Sequence, residues 1–139
     1  MKVEVSNGEL LDKLSILELK LKNIKDDKKL INIKNEHGGL SPLCNNLFNN
    51  YGNELRSLYA KLSEINAELW KTEDDIRECE RNKDFGDEFV RLARAVYFTN
   101  DKRSDVKKSI NLLTESGFVE EKSYDCLLYT SDAADDGLC

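Results

Sequence analysis

Apolar or small side chains recur at Tyr51, Leu55, Leu58, Leu62, Ile65, Leu69, Thr72, Ile76 and Cys79. Alternating steps of four and three draw one continuous stripe along a helix, the pattern of a supercoiled seam. The rest of the chain is expected to pack around this stretch. Upstream, Leu10, Leu14, Leu17, Leu21, Ile24 and Ile31 keep the same rhythm, with Lys28 as the one polar interruption. Downstream it returns at Phe89, Leu92, Val96, Thr99, Arg103, Val106, Ile110 and Leu113, although the middle of that seam is polar.

Punctuation sets the predicted boundaries. Ser6, with Glu9 three residues later, is a capping box that opens helix one. Gly38-Gly39 offers a left-handed exit and Pro42 forbids continuation. Helix one is therefore about 30 residues, or about 45 Å, long. Asn45-Asn46, Asn49-Asn50 and Gly52 blur the start of helix two, whose well-marked part runs over 53–82. Asp84-Phe85-Gly86-Asp87 reads as a tight turn, and both aspartates suit the positively polarised start of helix three. Gly117 should end that helix, with an extended segment over 118–124. Short links between long helices favour antiparallel neighbours. The fold expected is all-α, an elongated antiparallel three-helix bundle or coiled-coil-like hairpin with a short extended C-terminal segment.

Composition narrows the function classes. Charged residues are 35% and aromatics 8%, with one proline, the make-up of long solvated helices and not of a sandwich or barrel. A net charge of −6 argues against non-specific attraction to nucleic-acid phosphates. The lysines of helix one (Lys20, Lys22, Lys25, Lys28, Lys29, Lys34) are diluted by Glu18, Asp26, Asp27 and Glu36, and no aromatics are interleaved. They read as a solvated face. No run approaches the roughly 18–20 apolar residues of a membrane span, and no signal-peptide pattern opens the chain. The expected compartment is the cytoplasm. Cys44, Cys79, Cys126 and Cys139 lack metal-ligand spacing, and Cys79 sits on the stripe as a small hydrophobe.

Candidate chemistry is sparse. His37, the one histidine, falls beside Gly38-Gly39, and no Glu-x-x-His motif exists for a bundle metal site. Glu64 and Glu68 share a face, where pairing with Lys61 and Lys71 is the ordinary outcome. No phosphate loop, nucleophile elbow or Ser/His/Asp set occurs. The sequence asks for no cofactor and no metal. What remains follows from register. A turn near 83–86 sets 66–72 opposite 97–103, and a return near Pro42 brings 7–12 towards 70–75. Asp12, Trp70, Asp74, Arg94, Tyr97, Asn100 and Arg103 then share one level of the bundle. A guanidinium on a seam needs a carboxylate, and Asp74 or Glu73 is the expected partner of Arg103. One reading of this cluster is a buried polar layer fixing helix register. The other is a shallow pocket in which Arg94 and Arg103 hold a phosphate or carboxylate while Trp70 or Tyr97 stacks on a ring.

The stretches SNGELLDKL at 6–14, LWKTEDDIR at 69–77, FVRLARAVYFTNDKR at 89–103 and VEEKSY at 119–124 resemble an uncharacterised bacterial family of small helical proteins, the domain of unknown function DUF6165. The resemblance covers nearly all of residues 3–124. It implies no catalytic residues, since that family has no established activity. It also implies an association with glycosyltransferases and surface-polysaccharide proteins, beside or fused to which its members occur. The tail over 126–139 departs from the pattern and is similar to the translated sequencing-adapter tails of metagenomic reading frames. Residues 1–124 are thus expected as a single helical domain and 125–139 as a non-native or disordered tail. Without Asp132, Asp135 and Asp136 the balance is 24 acidic to 21 basic residues.

Two functions are therefore expected from different classes. The first is a non-enzymatic interaction module, self-associating or docking on a protein partner such as a glycosyltransferase. The second is a small all-helical enzyme or binder of an anionic ligand, with arginines projecting between helices as in chorismate mutases. The residue types lean away from catalysis.

Overall fold

A computed structural model describes residues 1–115. Three helices, α1 (Asn7–Asn23), α2 (Asp27–Arg81) and α3 (Asp87–Leu113), pack into an all-α bundle, with no strand among the described residues. The predicted stop at Gly117, the extended segment over 118–124 and the boundary at residue 124 lie outside the described residues.

The first helix starts where expected. Ser6 is extended and its Oγ accepts the Glu9 N–H at 3.1 Å, satisfying one donor that the first turn leaves open. The other half of the box does not form, because the Glu9 carboxylate crosses to the Lys107 ammonium on α3.

α1 is shorter than its hydrophobic rhythm implies. It spans 17 residues and stops at Ile24, which turns extended at ψ 134°. Asp26 then caps α2 through its carboxylate, accepting from the N–H groups of Lys28 (3.0 Å) and Lys29 (3.1 Å). The rhythm hid this break because Ile24 and Ile31 are seven residues apart, so the heptad reads straight through a two-helix corner.

The expected stop at Gly38-Gly39-Pro42 is overturned: α2 runs through all three. Pro42 removes one N–H bond, the one to the Gly38 carbonyl. Gly38, Gly39 and Pro42 are exposed and nothing crowds the two glycines, so water can satisfy that carbonyl.

The real interruption of α2 is Gly52, at φ 63°, ψ −142°, a backbone region that side-chain-bearing residues rarely enter. Phe48 and Tyr59 would lie about 16 Å apart along a straight helix, yet their ring centroids are 5.2 Å apart in an edge-to-face pair. The Arg56 guanidinium also sits 5.1 Å above the Phe48 ring. The chain folds back at this one residue, giving α2 two arms, 27–51 and 53–81. At its far end Asp84 Oδ1 accepts the Gly86 N–H at 3.2 Å, and α3 begins at Asp87, the tight turn foreseen.

These bends let α1 bridge α3 and both arms of α2. Lys13 pairs with Glu36 on the first arm at 3.1 Å. Ser15 and Asp12 meet Asn66 on the second arm, and Tyr59 donates to Glu18. Against α3 the pairs Asn7–Thr114, Gly8–Asn111, Glu9–Lys107 and Asp12–Arg103 run in antiparallel order. The core cluster accordingly draws on every segment: Leu11 and Leu14 from α1, Cys44 and Phe48 from the first arm, Leu55 and Leu62 from the second, and Ile110 from α3. Each such leucine contributes about 1.5–3 kcal/mol through burial.

Gly8 shows how closely α1 and α3 approach. A Cβ there would lie 2.6 Å from the Lys107 carbonyl oxygen and 2.9 Å from Asn111 Oδ1. The Gly8 N–H instead donates to Asn111 Oδ1 at 2.7 Å. Only a residue without a side chain permits that backbone contact.

Candidate functional site

One turn after Gly8, the same face of α1 presents Asp12 and Ser15, both buried. Arg103 of α3 addresses Asp12 with both prongs of its fork, Nε to Oδ1 at 2.9 Å and Nη2 to Oδ2, the strong bidentate geometry of a charge-assisted pair. Asn66 of α2 donates from Nδ2 to Asp12 Oδ1 at 2.9 Å and lies 2.6 Å from Ser15 Oγ. Ser15 Oγ in turn donates to the Asp12 carbonyl at 2.8 Å. Four polar residues from three helices thus close a network around one carboxylate whose side chain is 4% exposed, against 28% for Arg103. Such a carboxylate persists only because its partners replace the water it has lost.

The partner of Arg103 is therefore Asp12, not Asp74 or Glu73. Those two carboxylates sit on the exposed edge of α2, where water solvates them. Asp12 is the buried carboxylate, so it gains most from a cation. Beside the network opens a cleft of about 480 Å³, with Ile16, Leu19, Leu69 and Trp70 as apolar lining and Glu73, Asp74, Arg77, Asn100 and Arg103 as polar lining. Of the seven residues placed on one level by register, Trp70, Asp74, Asn100 and Arg103 line this cleft and Asp12 lies behind Arg103. Arg94 and Tyr97 are not with them. Both are exposed, and Arg94 lines a separate groove with Asp87, Val90, Arg91, Ala95 and Phe98. On α3, residues 94 and 97 sit nine and six positions before Arg103, so the helical twist carries them to another face.

Sequence reasoning missed Ser15 and Asn66, which complete the network. Asn66 follows Leu62 by four and so sits at the rim of the apolar stripe. The observed buried positions Leu55, Leu62, Asn66 and Thr72 show the stripe rotated slightly from the predicted one. A polar residue at that rim was the available signal. Also missed was the burial of Asp101, Ser104, Lys107, Lys108 and Asn111 along α3. The anticipated pairing of Lys71 with Glu64 or Glu68 is replaced by Lys71–Asp75 at 3.0 Å, an exposed i,i+4 contact.

Thiols and histidine stand apart from this site. Cys44 is fully buried in the core, and burial, followed by the nearby Glu18 charge, pushes its thiol up to about 11. It is a neutral hydrophobe at physiological pH. Burial, with acidic neighbours led by Asp84, likewise raises Cys79. His37 is not at a helix end but within α2, half-buried in a cleft with Glu18, Ser41 and Tyr59. Among the described residues, no group of three or more His, Cys, Asp or Glu is placed to hold a metal ion. No helix there is long and apolar enough to cross a membrane.

No curated protein and no solved structure matches the chain. A family model described as a family of unknown function, DUF6165, matches residues 1–137. By that match, spanning the helices, the buried network and the cleft alike, the chain belongs to the DUF6165 family.

Proposed function

We propose that the protein is a helical interaction module that docks on a partner protein through the outward face of α3. The observation that carries this reading is the exposure of Val90 (50%), Tyr97 (61%) and Phe98 (38%) along that face. Exposed Arg94 lies among them and makes no ion pair among the described residues. Aromatic and arginine side chains are the types enriched at the centres of protein interfaces. A partner segment suited to this face carries an aliphatic side chain for the groove between Val90, Ala95 and Phe98, and a carboxylate for Arg94. The family resemblance directs the choice of partner to a glycosyltransferase of surface-polysaccharide synthesis.

Light scattering on mixtures with a glycosyltransferase of surface-polysaccharide synthesis tests the proposal. A complex is expected, and Arg94→Glu or Phe98→Ser should weaken it at least about tenfold while leaving the melting temperature of the free protein within a few degrees. Binding that ignores both substitutions sinks this face as the docking site.

The cleft beside Trp70 supports a second reading, since about 480 Å³ falls within the usual range for a small ligand. Its anion anchor is weakened because Arg103 is already committed to Asp12, while Glu73 and Asp74 repel an anion from the same lining. A thermal-shift panel of nucleotide sugars, phosphate and carboxylates decides it. A shift abolished by Arg103→Ala favours a ligand site; a silent panel favours the docking module.

A further inference from the structure

We infer that Gly52 is a one-residue hinge through which two copies of this chain exchange their N-terminal units, residues 1–51 of one packing on residues 53–115 of the other. The second copy is thus a partner that uses the internal surfaces of the monomer rather than its outer face.

The first observation is the hinge itself. Helix continues to both sides of Gly52 within α2, and Gly52 alone in that helix has non-helical angles. No loop separates the arms, so a change at one residue converts the fold-back into a continuous helix of 55 residues, about 80 Å long. Straightening adds the backbone bonds that a helix end otherwise leaves unmade, and it releases a backbone conformation that glycine alone adopts readily.

The second observation is that the contacts joining the two units among the described residues can be remade between copies. Asp12–Arg103, Asp12–Asn66, Glu9–Lys107, Asn7–Thr114, Phe48–Tyr59 and Tyr51–Thr114 each link a residue before Gly52 to one after it. An exchanged dimer keeps all of them and changes only the hinge, the condition under which swapping costs little. The third observation is that no atom crowds Gly52: a Cβ there would meet nothing within 4 Å. A side chain at this position therefore acts through the backbone alone, favouring the straight form. None of these contacts between the two units involves Val90, Arg94 or Phe98, so this inference is independent of the docking proposed above.

Gly52→Ala in the full chain is the test. Light scattering after size exclusion should show a dimer with unchanged helical circular dichroism and an apparent dissociation constant at least about tenfold below that of the wild type. Asn7→Cys with Thr114→Cys, in a background carrying Cys79→Ser, Cys126→Ser and Cys139→Ser, identifies the connectivity. Oxidation should lock the Gly52→Ala dimer covalently on a non-reducing gel and should close within the chain in the monomer. A folded Gly52→Ala protein that stays monomeric at the highest concentration it reaches in solution overturns the inference. So does a dimer whose cysteines close within each chain. Should Gly52→Ala not fold, wild-type protein refolded from urea at high and low concentration serves instead. Dimer confined to the concentrated sample, and lost when Gly-Ser-Gly is inserted after Gly52, upholds the hinge; monomer in both samples refutes it.

Discussion

Asp12 and Arg103 show why a buried pair must be judged by what each partner would suffer alone. Arg103→Met leaves the Asp12 carboxylate, 4% exposed, facing only Asn66, and should cost about 3–5 kcal/mol. Asp12→Ala should cost less, about 2–3 kcal/mol, because the Arg103 guanidinium is 28% exposed and water can reach it. The double variant Asp12→Leu/Arg103→Met removes both charges together and should recover most of the loss in urea midpoint. If the double variant is no better than Arg103→Met, the network has a role beyond mutual neutralisation. Gly8 poses a different problem, one of space. Gly8→Ala gains about 1 kcal/mol of helix propensity but drives a methyl to 2.6 Å from the Lys107 carbonyl. Overpacking of about 1–3 kcal/mol outweighs the gain, so a thermal melt should shift down by several degrees. An unchanged melt would mean that α1 can slide away from α3.

Among elements, α2 carries the local conflicts. Pro42 lies in an exposed stretch of helix, where its ring contributes no packing and denies a bond to Gly38. Pro42→Ala should stabilise the protein by about 1–3 kcal/mol, read as a higher urea midpoint by circular dichroism at 222 nm. A lower midpoint would show that the helix needs proline there. Three helices are present, though the first two with other bounds than expected, and the turn over 84–87 was legible because Asp84 accepts from Gly86 and Gly86 from Val90, bonds between near neighbours. The α1–α2 corner was not legible. Asp26 caps a helix there, but a heptad count cannot distinguish a seam that continues from one that resumes after a corner. Nor was the fold-back at Gly52, since a lone glycine within a helical pattern fits either a weak turn of helix or a hinge.

For the whole molecule, the decisive feature is that α1 touches both arms of α2 and α3. Loss of α1 strips partners from Asn66, Arg103, Lys107 and Asn111 together. Unfolding in urea should therefore be a single transition, with Trp70 fluorescence on the second arm and helical circular dichroism coinciding. A separate early loss of helix, before Trp70 responds, would mean that residues 1–51 come away as an independent unit. The register argument brought Asp12, Trp70, Asp74, Asn100 and Arg103 into one neighbourhood by a wrong route. It placed the return of helix one at Pro42, whereas the chain turns at Ile24–Asp26 and again at Gly52. The antiparallel facing of α2 and α3 survived that error because it depends only on the tight turn between them.

Helix content, the seam positions Leu92, Thr99 and Ile110, the Ser6 cap and the need of Arg103 for a carboxylate all followed from the sequence, since spacing and short-range bonding determine them. Which carboxylate answers Arg103, which face Arg94 and Tyr97 occupy, and which glycine bends the chain were decided by the tertiary structure. Each of these depends on the angle at which helices cross, and that angle comes from the packing of side chains far apart in sequence, which no periodicity records.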